Sequence, residues 1–147
     1  MASDAAPWTL TIASDLRLLA LARAFIEAVC QSLGLDETAT HAIVLATDEA
    51  TNNVMRHAHH GRPDATLQIQ CIPLQDGVEV RLHDEGEPFD IGAVPHLDPA
   101  ELRIGGRGVF LMRALMDELS TQRRGERGNT LRMVKRCRHG GAICPHS

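Results

Sequence analysis

The order of hydrophobic periodicities along the chain is the feature that most constrains its fold. Alternating apolar and polar residues predict strands at residues 7–13, 66–72, 77–84, 119–123 and 130–135. Apolar residues at helical spacing predict helices at about residues 15–33, 38–59 and 107–118. The order β-α-α-β-β-loop-α-β-β, with its strands in hairpins, favours an α+β fold: a two-layer sandwich in which a mostly antiparallel, mixed sheet carries the helices on one face.

Capping residues and one long loop separate the predicted helices and strands. Ser14 or Asp15 is predicted to cap the first helix, which Gly34 ends, and Asp36 is predicted to cap the second. Residues 85–106 are predicted to form a loop of a length that is usually functional in compact domains. We expect a single domain over residues 1–147, with a core at about 8–136 and a loop-like tail at 137–147.

Composition excludes several classes of protein. The 147 residues are 44% hydrophobic, which suffices for one core without disulfides, and the net charge of −4 argues against a bulk nucleic-acid binder. Lys135 is the only lysine and follows no glycine-rich loop, so a P-loop nucleotide site is excluded. No leader peptide and no long apolar run are evident, so we expect a cytoplasmic protein that does not enter a membrane.

The cysteines and the basic residues near the end of the chain leave alternatives open. Four cysteines lie scattered without a C-x-x-C pair, and reduced thiols are expected: Cys30, Cys71, Cys137 and Cys144. Two cysteines and two histidines of the tail could hold zinc, although their spacing favours a tail without metal: Cys137, His139, Cys144 and His146. A basic cluster without interleaved aromatics indicates a solvated face or an acidic protein partner: Arg123, Arg124, Arg127, Arg132, Lys135, Arg136 and Arg138.

The second predicted helix places polar residues where its apolar stripe points. Glu49, Asn53 and His57 are spaced four residues apart, so they stack along one side of the helix. One interpretation is a satisfied polar edge, since polar groups on such a face are costly without partners. The other is a ligand site, in which a carboxylate accepts a proton from a nucleophile and an amide oxygen one turn away binds a cation such as Mg²⁺.

Two glycine-containing segments follow this helix. HDEGEPFD (83–90) places Asp84 at a strand end with Gly86 two residues later, so the carboxylate could accept a hydrogen bond from an exocyclic amine of a flat ligand. GGRG (105–108) directly precedes the third helix, whose N-terminal amides suit phosphate groups. Taken singly, the first segment is better explained by an ordinary turn after a strand, and the second is equally compatible with a flexible hinge.

In this order the motifs resemble one family of ATP-binding domains. DEATNNVMRHA (48–58), HDEGEPFD, GGRGVFLMRALMDEL (105–119) and GNT (128–130) are similar to the ATPase domain shared by gyrase, histidine kinases and mismatch-repair ATPases. The E-A-x-x-N motif with a histidine four residues later, and the glycine run followed by L-M-D-E, resemble the bacterial anti-sigma-factor serine kinases. The resemblance spans about residues 8–135 and implies the histidine-kinase-like fold and the use of ATP with Mg²⁺.

The resemblance also implies roles for individual residues. Glu49 matches the general base for the attacking serine hydroxyl, and Asn53 matches the asparagine that binds Mg²⁺. Asp84 matches the aspartate that binds the adenine amine. The remaining matches concern the rest of the nucleotide site: Gly86 under the base, Gly106 and Gly108 in the lid over the phosphates, and Thr130 supporting the adenine pocket.

Two departures from the family pattern affect the phosphate and adenine regions. Pro88 stands where the last glycine of D-x-G-x-G is common, and Ile104 stands where some relatives carry a lid arginine. Arg103 and Arg107 are nearby substitutes for that arginine.

The resemblance implies a protein-serine kinase that binds a sigma factor and phosphorylates a STAS-type anti-sigma-factor antagonist. Homodimerisation is expected, with no nucleic-acid or membrane partner. The alternative is a regulatory module that binds ATP without transferring phosphate. Retention of Glu49 and Asn53 favours the kinase.

Overall fold

A computed structural model describes residues 7–58, 62, 64–94 and 107–136 of the chain. Its strands are β1 (Trp8–Ala13), β2 (Thr66–Leu74), β3 (Gly77–Asp84), β4 (Glu118–Arg123) and β5 (Asn129–Arg136). Its helices are α1 (Leu19–Ser32), α2 (Glu37–Asn53) and α3 (Arg107–Leu115). Short 3-10 turns lie at Leu16–Leu18 and Ile91–Ala93, and a π-helical turn, Val54–Ala58, follows α2.

The five strands form one sheet in the order β1-β2-β3-β5-β4, and every pairing among the described strands is antiparallel. Asp84, at the end of β3, lies opposite Asn129, at the start of β5. The buried side chains of one sheet face join those of the helices in a single core, which includes Ile12, Leu67, Ile69, Val80, Leu82 and Met133 from the strands and Ala22, Ile26, Ile43, Ala46 and Met112 from the helices. The predicted α+β sandwich is confirmed.

The predicted cap of α2 is confirmed, whereas the predicted cap of the first helix belongs to a 3-10 turn, and α1 itself begins at Leu19 without a side-chain cap. Asp15 Oδ1 accepts a hydrogen bond from the Arg17 amide at 2.9 Å, which begins the 3-10 turn leading into α1. Asp36 Oδ1 accepts from the Ala39 amide at 2.7 Å and begins α2. Gly34, with φ of +72°, follows α1 in the left-handed conformation that favours glycine at a helix end.

Two helices end earlier than predicted. The regular part of α2 ends at Asn53 and continues as the π-helical turn, whereas the periodicity predicted a helix to about residue 59. Helix α3 ends at Leu115, three residues before the predicted end at Glu118. The Asp117 amide donates to the Val134 carbonyl at 2.8 Å and so directs the chain into β4. Glu118 is therefore the first residue of β4 rather than the last of a helix.

The sheet face opposite the core carries an ion-pair network. Glu79 is only 4% exposed, and its carboxylate pairs with Arg81 on its own strand and with Arg132 on β5. Glu118 pairs with both Arg132 and Arg136, and Arg136 also pairs with Asp76. Since a buried carboxylate without a partner is strongly destabilising, these arginines are a structural part of the sheet.

Candidate nucleotide site

A cavity of about 350 Å³ opens between α2, α3 and the end of the sheet. Most of its wall is apolar, and five polar residues line the rest: Asn53, Asp84, Glu87, Thr121 and Asn129. The apolar wall comes from α2, α3, β5 and the segment after β3: Ala50, Val54, Val109, Met112, Leu131, Pro88, Phe89, Ile91 and Val94. A concave apolar cavity with few, fixed polar groups is the usual form of a small-molecule site.

Glu49 and Asn53 converge at the beginning of α3. A Cβ atom placed on Gly108 would lie 3.1 Å from Glu49 Oε2 and 3.1 Å from Asn53 Nδ2. The spacing of four residues on α2 therefore brings the carboxylate and the amide to one place, and Gly108 allows the backbone of α3 to approach both. Asn52 lies apart from this pair, because its Oδ1 accepts a hydrogen bond from Arg56 Nε at 2.9 Å.

Asp84 is 4% exposed and lines the cavity at the end of β3. Its Oδ1 accepts from the Gly86 amide at 2.8 Å and from Asn129 Nδ2 at 3.1 Å. The first bond closes a turn of the kind that aspartate forms with the backbone two residues on. Among the described residues both bonds end on Oδ1, which leaves Oδ2 for a ligand.

Thr130, which the resemblance makes a support of the adenine pocket, and its neighbour Asn129 face opposite sides of the sheet at the start of β5. Thr130 does not line the cavity, because its Oγ1 is bonded at 2.8 Å to Nδ1 of His83 on the opposite sheet face. Asn129, one residue earlier, faces the cavity instead. His83 also contacts Gln70 Oε1 through Nε2 at 2.7 Å. Burial, with the nearby Arg124 and Arg81 guanidinium groups, lowers the pKa of His83.

Gly128 allows β5 to start close to Asp84. Its φ is +110°, and a Cβ atom there would lie 2.6 Å from the Asp84 carbonyl oxygen. The Gly128 amide donates to the Gly86 carbonyl at 2.9 Å, which ties the turn before β5 to the turn after β3. A side chain at this position would push the two turns apart.

The substitution Gly128→Ala is expected to lower the free energy of unfolding by at least about 2 kcal/mol, because it adds a backbone clash to a strained φ. Gly125→Ala is the matched control, since Gly125 has φ of +69° and nothing within 4 Å of a Cβ atom, so a loss of about 1 kcal/mol is expected. Urea unfolding without nucleotide measures both. Equal losses would show that the close approach at Gly128 does not matter.

Helix α3 holds the segment that follows β3 and leads towards residues 95–106. Arg113 Nη2 donates to the carbonyl oxygens of Ile91 at 2.8 Å and Val94 at 2.7 Å. Thr121 Oγ1, on β4, accepts from the Ile91 amide at 3.0 Å. The wall formed by Ile91 and Val94 is therefore fixed from two sides.

The other predicted site residues divide between the described and the undescribed parts of the chain. Arg107 is the exposed first residue of α3, and Gly86 lies in the turn after Asp84. His57 lies in the π-helical turn. Arg103, Ile104 and Gly106 lie outside the described residues, as do the four cysteine and histidine residues of the tail that could hold zinc.

Metal-binding chemistry is limited in the part of the chain that the structure covers. Within residues 7–58, 62, 64–94 and 107–136, no group of three His, Cys, Asp or Glu side chains could hold a metal ion. Cys30 and Cys71 are free and buried, as expected, and burial raises their pKa values to about 11 and about 12. Both thiols therefore stay protonated at neutral pH.

The described members of the basic cluster have different environments. Arg132 and Arg136 belong to the ion-pair network, and Lys135 Nζ donates to the Leu115 carbonyl at 2.9 Å. Arg124 and Arg127 line a separate, polar depression of about 490 Å³ beside the β4–β5 turn, which also has acidic residues in its wall. The cluster is therefore not one continuous basic surface.

No helix among the described residues is long and apolar enough to cross a membrane.

Comparisons with known proteins agree with this geometry. The profile of a family described as histidine kinase-like ATPase domain matches residues 12–135. The serine-protein kinase RsbW of Listeria monocytogenes is 30% identical over 119 residues, covering 76% of each chain. The RsbW of Staphylococcus epidermidis is 33% identical over 100 residues, covering 62% of each chain.

A solved structure shares the fold. The crystal structure of the RsbU and RsbW domains of a Mycobacterium tuberculosis protein superposes on this chain with a TM-score of 0.62 at 18% sequence identity. The match covers 90% of this chain and 32% of that longer one. At this identity the likeness concerns the fold alone.

Proposed function

The chain belongs to the histidine kinase-like ATPase domain family and, within it, to the RsbW serine-protein kinases, and from this premise we propose that it acts in a partner switch. It phosphorylates a serine of a STAS-type anti-sigma-factor antagonist, and it binds and inhibits a sigma factor. Membership makes the chain a serine-protein kinase, and its ATPase domain implies ATP as the phosphoryl donor. The observation that carries the proposal is the convergence of Glu49 and Asn53 against Gly108.

The cavity is assigned to the nucleotide base and the Glu49–Asn53 pair to the phosphate end. Asp84 Oδ2 accepts a hydrogen bond from the adenine amine, while the apolar wall excludes water from the base. Gly108 lies against the pair in the first turn of α3, and the amides of a helix N-terminus suit the negatively charged phosphates. Arg107, exposed at the same helix start, and Arg103 are the candidates for contacts to phosphate oxygens.

Proton transfer is assigned to Glu49. The serine oxygen of the partner attacks the γ-phosphorus, the bond from that phosphorus to the bridging β–γ oxygen breaks, and ADP leaves with the bond's electron pair. Glu49 accepts the proton that the hydroxyl loses, which a carboxylate at the edge of the cavity can do when the hydroxyl lies within hydrogen-bond reach. The chain's main contribution is position and charge, as phosphoryl transfer requires.

The residues present fit Mg²⁺ as the accompanying cation. Asn53 offers an amide oxygen, a hard ligand, beside the Glu49 carboxylate. The described residues offer no cluster of three metal-binding side chains, which suits Mg²⁺ because this ion is usually held by one or two protein ligands with phosphate and water oxygens. When bound, the ion neutralises charge on the phosphates.

Substituting Asn53 by alanine is expected to lower kcat/KM by about 10²-fold and to raise the Mg²⁺ concentration at half-maximal activity, because the ion loses its protein ligand. Asn52→Ala is the control, since Asn52 is bonded to Arg56 away from the site. Kinase activity measured over a Mg²⁺ titration compares the two. Equal activities of both variants would remove Asn53 from the metal site.

We include homodimerisation and a cytoplasmic location in the proposal. Strand β1 is an edge of the sheet. Three large apolar side chains are exposed on β1, on the 3-10 turn after it and at the start of α1: Trp8 at 38%, Leu16 at 41% and Leu21 at 48%. An edge strand with exposed apolar neighbours supports association with a second copy.

The partner switch is tested by capture from the native cytoplasm with the purified chain as bait. With Mg-ATP, a sigma factor should be retained, and the antagonist should be recovered carrying phosphoserine. Glu49→Gln as bait should retain partners but yield unmodified antagonist. Retention of neither partner with any nucleotide, while the chain binds ATP, would contradict the proposed partners and leave only the nucleotide-binding assignment.

A further inference from the structure

Asn129 is almost fully buried, at 3% exposure, and its side-chain amide has three hydrogen bonds. Nδ2 donates to Asp84 Oδ1 at 3.1 Å and to the Glu87 carbonyl at 2.7 Å. Oδ1 accepts from the Phe89 amide at 2.8 Å. Both amide hydrogens and the carbonyl oxygen are therefore used, so any replacement loses at least one bond.

Two of these bonds hold the backbone on either side of Pro88. Glu87, Pro88 and Phe89 all line the cavity, and proline has no amide hydrogen with which to fix the segment itself. The Asn129 amide bonds the carbonyl before Pro88 and the amide after it, so the segment is held to β5 through one side chain. The departure from the family's glycine at this position is thus accompanied by a specific support.

The third bond determines which oxygen of Asp84 is free. Oδ1 receives both the Gly86 amide and Asn129 Nδ2, so Oδ2 is the oxygen available to a ligand. A carboxylate oxygen accepts a hydrogen bond from an amino group, and it has no hydrogen to donate to a carbonyl oxygen. A fixed acceptor therefore distinguishes a 6-amino purine from a 6-oxo purine.

We infer that Asn129 is the positioning residue that makes the site selective for adenine over guanine, by holding Asp84 and the 87–89 segment together as one wall. This rests on the assignment of the cavity to the nucleotide base under the proposed function. The residue acts through Asp84 and the backbone rather than through the reacting atoms. Its loss should therefore change base recognition without changing the transfer step at Glu49.

Two substitutions separate the bonds of Asn129. Asn129→Asp keeps an oxygen for the Phe89 amide but removes both donors and places a second carboxylate beside Asp84. Asn129→Thr keeps a hydroxyl donor on the Asp84 side and removes the bonds to Glu87 and Phe89. Gln122→Glu is the control, because it makes the same change from amide to carboxylate at an exposed β4 position that lines neither cavity.

Equilibrium binding of Mg-ATP and Mg-GTP, followed by KM and kcat for phosphorylation, provides the test. Asn129→Asp should raise the Kd for ATP by about tenfold or more and reduce the ATP/GTP preference by a similar factor, with kcat at saturating ATP within about twofold of the wild type. Asn129→Thr should show a smaller loss of the same kind, and Gln122→Glu none. Thermal melting identifies the folded variants that are compared.

The outcomes distinguish this inference from the function on which it rests. If the wild-type chain prefers ATP and folded Asn129 variants retain the full preference, the positioning role is overturned while the proposed function stands. If the wild-type chain binds ATP and GTP equally, the assignment of the cavity to adenine fails, and the inference fails with it. A fall in kcat alone, without a change in base preference, would also overturn it.

Discussion

Replacing Glu49 with glutamine is expected to lower kcat for serine phosphorylation by about 10²- to 10⁴-fold, the usual contribution of a general base. Glutamine keeps the size of the side chain beside Gly108 and Asn53 but cannot accept the hydroxyl proton. ATP affinity should stay within about threefold, because the carboxylate acts in the transfer step rather than in binding the base. Rapid-quench measurement of phosphoserine formation at saturating Mg-ATP gives the rate.

Asp48→Asn is the matched control for this substitution. Asp48 is the preceding residue on α2, and its carboxylate pairs with Arg23 at 3.0 Å, away from the site. An exposed pair of this kind contributes little, so the rate should be that of the wild type. A Glu49→Gln variant with the wild-type rate would remove the proposed base from the mechanism.

Asp84→Asn is expected to raise the Kd for ATP by about 10²-fold. A site that provides a hydrogen-bond acceptor for the adenine amine binds adenine much more weakly when a donor replaces that acceptor. The asparagine oxygen can still accept from the Gly86 amide and Asn129 Nδ2, so the turn is retained. The amide nitrogen then replaces Oδ2 and presents hydrogens towards the hydrogens of the adenine amine. Calorimetric titration with Mg-ATP measures the loss.

The loss at Asp84 should be specific to that carboxylate. Asp90→Asn is the control, since Asp90 lies on the same segment, outside the cavity wall, and caps the 3-10 turn through the Gly92 amide at 2.9 Å. It should bind ATP as the wild type does. An unchanged Kd for Asp84→Asn would contradict the adenine assignment.

The positions of Glu49, Asn53 and Asp84 could be predicted from the sequence because each depends on local order. A spacing of four residues on a helix brings Glu49 and Asn53 to one side whatever the helix packs against. Asp84 ends a strand whose alternation is unbroken over 77–84, so its position at the sheet's end follows from the pattern. In the structure, Asn53 and Asp84 line the cavity, and Glu49 lies beside Asn53 at Gly108.

The position of Asn129 in the cavity wall could not be predicted from the sequence, because it depends on the three-dimensional register. Side chains of a strand alternate between the two faces, so an error of one residue moves a side chain to the other side of the sheet. The pairing of Asp84 with Asn129 across 45 residues decides the phase, and the GNT motif alone contains no information about that pairing. The burial of Glu79 could not be predicted for the same reason, because its ion-pair partner Arg132 lies on another strand.

The ends of the helices could not be predicted for a related reason. Residues at the end of α3 have helical spacing, but the backbone bond from Asp117 to Val134 outweighs that local preference and begins β4. The segment around Pro88 was predicted as a loop, and its support by Asn129 depends on contacts across 40 and 42 residues. Long-range bonds of this kind leave no local pattern.

Transfer of the γ-phosphoryl group of ATP to a serine, with Glu49 as the base, can be measured directly. The most direct measurement mixes the purified chain, Mg-ATP with a labelled γ-phosphate and a purified STAS-type antagonist from the same genome, and maps the labelled residue. We expect label on one serine of the antagonist, its loss with Glu49→Gln and its retention with Asp48→Asn. Tight binding of ATP with no label on any antagonist, or equal labelling by both variants, would contradict it.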